Sequence, residues 1–370
     1  MQETVISSVE VIKLNIPYKE PFVISLGVIP SATNVVVKIN TNTGLTGIGE
    51  CAPFVFIVGE TQETVFELAQ QIGKLLKGKD PFAIEDRLAE IDRAVQGNPT
   101  MKSAFDMALY DLLAKQANLP LYKLLGGSNT REIYTDMTIS IGSPEKMAND
   151  ALEFKKAGFP AIKLKLGTTT EADVARVKAI REAVGMDYPI RIDANQGWDP
   201  VTAIKTLNEL NKYNIEHCEE PIPHWNNKEL VRVRENSPIS IMADESVFDH
   251  HDAFRLASMG ACDYFNIKFS KSGGIYNALK IVAVAESAGI KCQVGCMSES
   301  RYALTALMHV VAARKSIVHY DIDSSLMLAE DPVTGGIEYK GNGKWELGDT
   351  PGIGAGFDES YLENMERVIV

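Results

Sequence analysis

The 370-residue chain is 45% hydrophobic and sets 37 basic against 49 acidic side chains, a net charge of −12. That length holds one large α/β barrel with a smaller companion domain, and an acidic balance without any basic run argues against nucleic acid as a partner. No apolar run reaches bilayer-spanning length, the opening MQETVISSVEVIKLN lacks the basic-then-apolar layout of a secretory leader, and five scattered cysteines without a CxxC read as buried, reduced thiols of a cytoplasmic protein.

In chain order, residues 4–14, 33–40 and 45–50 alternate apolar and polar side chains, and Asn42-Thr43-Gly44 between the last two predicts an antiparallel hairpin. Helical spacing follows at 61–77, 82–95 and 101–117. This order predicts a small α+β capping domain over residues 1–128, ending near Gly126-Gly127. From residue 133 onward short β-branched runs alternate with helical patterns, the texture of a parallel sheet with crossover helices. Strands are expected at 133–139, 161–166, 190–194, 215–219, 239–244, 264–269, 291–297 and 316–322, with helices between them such as 145–157, 171–184 and 275–288. No helical pattern follows the eighth strand directly. The expected architecture is therefore an α/β fold, a (β/α)7β TIM-like barrel over residues 129–325. The glycine-rich stretch from Gly335 to Phe357 contains IEYK and KWEL and predicts a hairpin within a C-terminal segment, 326–370, that returns to the capping domain. An open doubly wound sheet is the rival, but the GxGxxG turn that best marks it is absent.

A barrel gathers its chemistry at the carboxyl ends of its strands. Lys163-Leu-Lys165 ends the second expected strand, Asp193-Ala-Asn195 the third, Glu219-Glu220-Pro221 the fourth, Asp244-Glu245-Ser246 the fifth and Lys268 the sixth. These endings recur about every 25 residues, one βα unit each time. A single acid in such a place more often caps the next helix. Three in phase, Asp193, Glu219 and Asp244, would repel one another without a cation between them, and oxygen-only ligation selects Mg²⁺ or Mn²⁺ over zinc. Lys163 and Lys165 are two apart on one strand, so both point into the barrel mouth. A neighbouring ammonium and a metal lower a lysine pKa from its usual value of about 10.4, which suits Lys165 as a general base, with Lys163 tuning it and helping to hold a carboxylate. Lys268 faces them from the opposite side. One lysine can remove a proton α to a carboxylate on one face while the other returns a proton on the opposite face.

KLKLG, RIDANQGW, EEP, IMADES and NIKFSKSGG, in this order and spacing, resemble the muconate-lactonizing-enzyme subgroup of the enolase superfamily. MALYDLLAKQANLPLYKLLGG, at residues 107–127, is similar to the segment that closes that family's amino-terminal domain, so the resemblance covers essentially the whole chain. It implies Asp193, Glu219 and Asp244 as Mg²⁺ ligands and Lys165 and Lys268 as the acid/base pair. The mandelate-racemase branch would use a histidine base on strand seven, and Lys291 to Ser300 contains none. Many relatives carry Glu-Gln-Pro at strand four. The ligand stands two before the proline, which selects Glu219 and leaves Glu220 without a role.

His319-Tyr-Asp321-Ile-Asp323 ends strand eight, and its two aspartates share a face at the mouth. They would repel a carboxylate and hold an ammonium group. A carboxylate at the metal and Lys163, with an ammonium at Asp321 and Asp323, describes a dipeptide, and the DxD resembles the signature of dipeptide epimerases, which invert the α-carbon of the carboxy-terminal residue. The apolar loops Pro21-Phe-Val-Ile-Ser-Leu-Gly27 and Pro53-Phe-Val-Phe-Ile-Val-Gly59 should cover the mouth and accept a hydrophobic side chain around Ile24 and Phe54, as in Ala-Val. Relatives that prefer an acidic carboxy-terminal residue place an arginine in the first loop; this chain has none, though Lys19 is close. Thr138, Cys296, Met297 and Ser298 complete the expected substrate contacts. N-acylamino acid racemase or o-succinylbenzoate synthase chemistry would use the same lysines and metal but needs no ammonium site, and a non-catalytic barrel gives no reason to keep two lysines around three acids. A homo-oligomer is the expected assembly.

Overall fold

Two long strands dominate the amino-terminal part of the computed structural model, which describes residues 3–370. Ile6–Ile24 and Gly27–Thr41 pair as an antiparallel hairpin with a register shift between Pro17 and Phe22. The alternating pattern ends near residue 14 because the outer half of the hairpin leaves its own sheet and reaches over the barrel. Thr46–Cys51 adds a third strand across the Asn42–Gly44 turn. Val9, Val11, Val35, Val37 and Ile39 turn one face of this sheet onto the helices Gln62–Leu76 and Pro99–Gln116. Gly47 and Gly49 allow the closest approach: a Cβ there would stand 2.1 and 1.9 Å from the carbonyl oxygens of Ala108 and Ala104.

Eight parallel strands follow in sequential order: Met137–Ile139, Ile162–Lys165, Ile190–Asp193, Ile215–Glu219, Ser240–Ala243, Tyr264–Ile267, Lys291–Val294 and Ile317–Tyr320. The Asp136 amide donates to the Tyr320 carbonyl at 3.2 Å and brings the first strand round to the eighth. Strand periodicity sends Ile162, Leu164, Ile190 and Ile192 outward to the helices and leaves Lys163, Arg191, His217, Asn266 and Gln293 on the inner side. Crossover helices start on side-chain caps at Ser143, Thr169, Asp199 and Asp249.

Two expectations change. The run 133–139 is two strands, because Thr135 turns away, its amide donating to the Gly343 carbonyl and its hydroxyl accepting from the Ile322 amide. Ile133–Tyr134 pairs with Lys344–Glu346, so the IEYK and KWEL hairpin lies on the entry to the barrel rather than on the capping sheet. The strand that does return to the capping sheet is Arg367–Ile369, paired with Ile6–Ile24. A single helical turn, Ser324–Met327, follows the eighth strand. Buried carboxylates of the capping domain cap barrel helices across the interface. Asp106 accepts from the amides of Ile275 and Tyr276 at 2.5 and 3.1 Å, and Glu50 accepts from those of Ser300 and Ala303 at 2.9 and 3.1 Å. Among the described residues no helix is long and apolar enough to cross a membrane.

Candidate active site

Parallel register sets the heights of the functional groups: Lys165 pairs with Asp193, and Asp193 with Glu219, on neighbouring strands. Asp193, Glu219 and Asp244 are fully buried, and each offers an oxygen within 4.8 Å of the others. Ammonium groups neutralise them. Lys165 Nζ lies 2.7 Å from Asp193 Oδ2 and Lys268 Nζ 2.8 Å from Asp244 Oδ2. Lys163 Nζ sits between Asp321, Glu219 and Asp193 at 2.8, 2.9 and 3.1 Å.

Burial pushes all three acids up, and at two of them the lysines reverse it. Lys165 and Lys163 outweigh burial at Asp193 and hold it at about 2, and Lys268 and Lys271 hold Asp244 well below the carboxylate range. Glu219, facing Asp193 as well, is pushed up to about 7. Burial lowers Lys163 and Lys268, yet Asp321 and Glu219 at the one and Asp244 at the other reverse it, so both are raised and cationic. At these two lysines the carboxylates overcome the lowering that neighbouring cations would produce.

The donor set fits a hard divalent cation, since all three ligating groups are buried carboxylates that converge on one point. Orphaned polar atoms stand beside it. Asn195 donates to Glu245 Oε1 at 3.2 Å, while Asn195 Oδ1 and Glu245 Oε2 have no hydrogen-bond partner, as expected of groups that face bound water around an ion.

Glu220 gains a role that its sequence position did not reveal. Its backbone has φ +30°, which turns the side chain towards the fifth strand. There the carboxylate accepts from the amides of Asp244 and Ser246 at 2.7 and 3.1 Å and from the Ser246 hydroxyl. Burial pushes this carboxyl up to about 7, and the three donors oppose that shift.

A cavity over the strand ends is lined by Lys165 and Lys268, by Asp321 and Asp323, and by an apolar wall that includes Ile24 and Phe54. Ile24, Phe54 and Met297 pack with Ala52 as a small cluster separate from the two main cores. The hairpin tip is tied down by Ser25, whose hydroxyl donates to the carbonyls of Ala194 and Asn195 at 3.1 and 3.0 Å. Asp323 accepts from the Thr138 amide at 2.7 Å, and its other oxygen faces Cys296 Sγ at 3.7 Å. Burial and the Asp321 charge push Asp323 up to about 6, while at Asp321 the Lys163 ammonium outweighs burial and lowers it.

Thr138, Cys296 and Met297 line this cavity. Two expected contacts do not. Lys163 lies one layer deeper, on three protein carboxylates. Ser298 points to the capping sheet, its hydroxyl 2.7 Å from that of Tyr18, because the chain is already turning into the helix Arg301–Ala313. Lys19 donates to the Leu326 carbonyl at 2.8 Å and does not line this cavity. Of the five cysteines, all unpaired, Cys296 alone is only partly buried. Phe22, Ile57 and Met327 also line the cavity without having been singled out. The first two belong to the apolar loops, where composition could have flagged them; Met327, in a one-turn helix, left no signal.

Residues 6–126 match the family model described as mandelate racemase / muconate lactonizing enzyme, N-terminal domain, and residues 146–361 that described as enolase C-terminal domain-like. A D-Ala-D/L-Ala epimerase from Cytophaga hutchinsonii is 47% identical over 366 residues, 99% of this chain and 100% of its own length. A hydrophobic dipeptide epimerase from Enterococcus faecalis is 44% identical over 94% of this chain and 99% of its own. The crystal structure of a dipeptide epimerase from Cytophaga hutchinsonii, complexed with Mg and the dipeptide D-Ala-L-Val, superposes with a TM-score of 0.98 at 47% identity, covering 99% of this chain and 100% of that one.

Proposed function

Because the chain belongs to the muconate-lactonizing-enzyme subgroup of the enolase superfamily, we propose that it is a Mg²⁺-dependent dipeptide epimerase inverting the α-carbon of the carboxy-terminal residue by two-base 1,1-proton transfer. The observation that carries this reading is one cavity bounded by Lys165, Lys268 and the pair Asp321 and Asp323. Asp193, Glu219 and Asp244 would hold the cation, and a bound Mg²⁺ would supply positive charge that stabilises a substrate carboxylate. Lys165 takes the proton from one face of the α-carbon, and Lys268, a cation beside Asp244, delivers one to the other face. In the opposite direction the two lysines exchange roles. Asp321 and Asp323 bind the substrate ammonium and fix which residue presents its α-carbon to the lysines.

The wall of Ile24, Phe54 and Met297 favours a hydrophobic carboxy-terminal side chain, of the Ala-Val type, because among the described residues no cation other than the two site lysines lines the cavity to pair an acidic one. The names of the relatives, one a hydrophobic dipeptide epimerase and one bound to D-Ala-L-Val, support the same class. Five free cysteines fit the cytoplasm, and a homo-oligomer remains part of the reading. The test compares Ala-Val with N-acetyl-Ala-Val. Acetylation removes the ammonium, so turnover should fall at least about tenfold; equal rates would move the assignment to an N-acylamino acid racemase.

A further inference from the structure

Lys271 is a buried cation that the proton-transfer scheme does not use. It stands three residues after Lys268 in the one-turn helix Phe269–Ser272, with its side chain 1% exposed. Its Nζ spends its three donors on the backbone carbonyls of Asp244, Asn266 and Val247, at 2.5, 3.0 and 3.2 Å. The same ammonium lies 2.5 Å from Asp244 Oδ1 as an ion pair, while Lys268 takes Oδ2. With Glu220 on the Asp244 amide, both backbone polar groups of this residue are held by hydrogen bonds from outside the cavity, and Oδ1, which has no hydrogen-bond partner, is held by the Lys271 charge alone.

The other two acids are also tied to the protein. Asp193 Oδ1 accepts from the Asn195 amide at 2.8 Å, and Glu219 Oε1 from Asn266 Nδ2 at 2.8 Å. Asp193 thus has one oxygen tied by a group other than the site lysines, and Glu219 both, since Gln293 Nε2 also donates to its Oε2 at 3.1 Å. Only at Asp244 is that group a full positive charge. Small cations and large ones read this difference. Mg²⁺ takes six ligands in a tight octahedron and keeps waters, whereas Ca²⁺ takes six to eight and accepts both oxygens of a carboxylate.

We propose that Lys271 is a positioning residue that withholds one oxygen of Asp244 from the cation and so sets a preference for Mg²⁺ over Ca²⁺. The inference rests on Asp193, Glu219 and Asp244 being the cation ligands. Without Lys271, Asp244 is free to offer both oxygens, which favours the larger ion. A lysine that merely satisfies three carbonyls predicts something else: its loss would weaken both cations alike.

The experiment titrates metal-stripped wild type, Lys271→Met and Lys271→Gln with Mg²⁺ and separately with Ca²⁺, by calorimetry without substrate. Thermal melts establish that each variant is folded. The ratio of the Ca²⁺ to the Mg²⁺ dissociation constant should fall by about tenfold or more in both variants. A ratio within about twofold of wild type would overturn the inference while leaving the ligand set intact. A wild type that binds neither ion fails the ligand assignment itself, and the inference with it. If neither variant folds, infrared difference spectra of wild type carrying isotope-labelled aspartate decide. The wide splitting of carboxylate stretches that marks one-oxygen ligation is expected on Mg²⁺ addition, and the narrow splitting of two-oxygen ligation contradicts it.

Discussion

Asp321 and Asp323 face the same cavity from unlike electrostatic positions. Lys163 keeps the first ionised, whereas burial and its neighbour push the second up to about 6. Ammonium binding needs the carboxylate, and a group with a raised pKa gains its proton as pH falls through that value. Turnover of a dipeptide should therefore drop as pH is lowered from 8 through about 6, beyond any loss of metal, when kcat/KM is followed at saturating Mg²⁺. Asp323→Asn should flatten this limb and lower kcat/KM at pH 8 by roughly ten- to a hundredfold, the worth of one charge-assisted contact of about 1.5–3 kcal/mol. An unchanged profile in that variant would assign the limb to another group.

The elements bear on the site through their ends. Asp106 reaches from the helix Pro99–Gln116 to the first amides of Ile275–Ala288, and Gly274 lets it approach. A Cβ at Gly274 would stand 2.4 Å from the Asp106 carboxyl, and its φ of +111° is one that side chains rarely adopt. Gly274→Ala should cost about 2–4 kcal/mol, seen as a lowered melting temperature; an unshifted melt would show that the carboxylate is free to move aside. Strand endings were legible in the sequence because period-two geometry and the recurring βα unit place Lys165, Asp193, Glu219, Asp244 and Lys268 without knowledge of any contact. What could not be read depends on turns. The break at Thr135, the positive φ of Glu220 and the outward aim of Ser298 are each fixed by hydrogen bonds to residues distant in sequence or by the path of the following element. The long hairpin escaped the periodicity because its tip packs against a cavity wall rather than a sheet core.

At the scale of the molecule, the proposed function draws its chemistry and its selection from different domains. The barrel supplies Lys165, Lys268, Asp321 and Asp323, and the capping domain supplies Ile24 and Phe54, so neither domain completes the cavity without the other. Buried carboxylates at helix starts, Asp106 and Glu50, join the two. The central claim is abstraction of one particular α-proton by a metal-dependent pair of lysines, and proton NMR of L-Ala-L-Val incubated with the protein and Mg²⁺ in D₂O tests it most directly. Deuterium should enter the valine α-position alone while L-Ala-D-Val accumulates, and chelation should stop both until Mg²⁺ is restored. No exchange at the valine α-carbon, or undiminished exchange by protein shown by elemental analysis to be metal-free, would contradict the account.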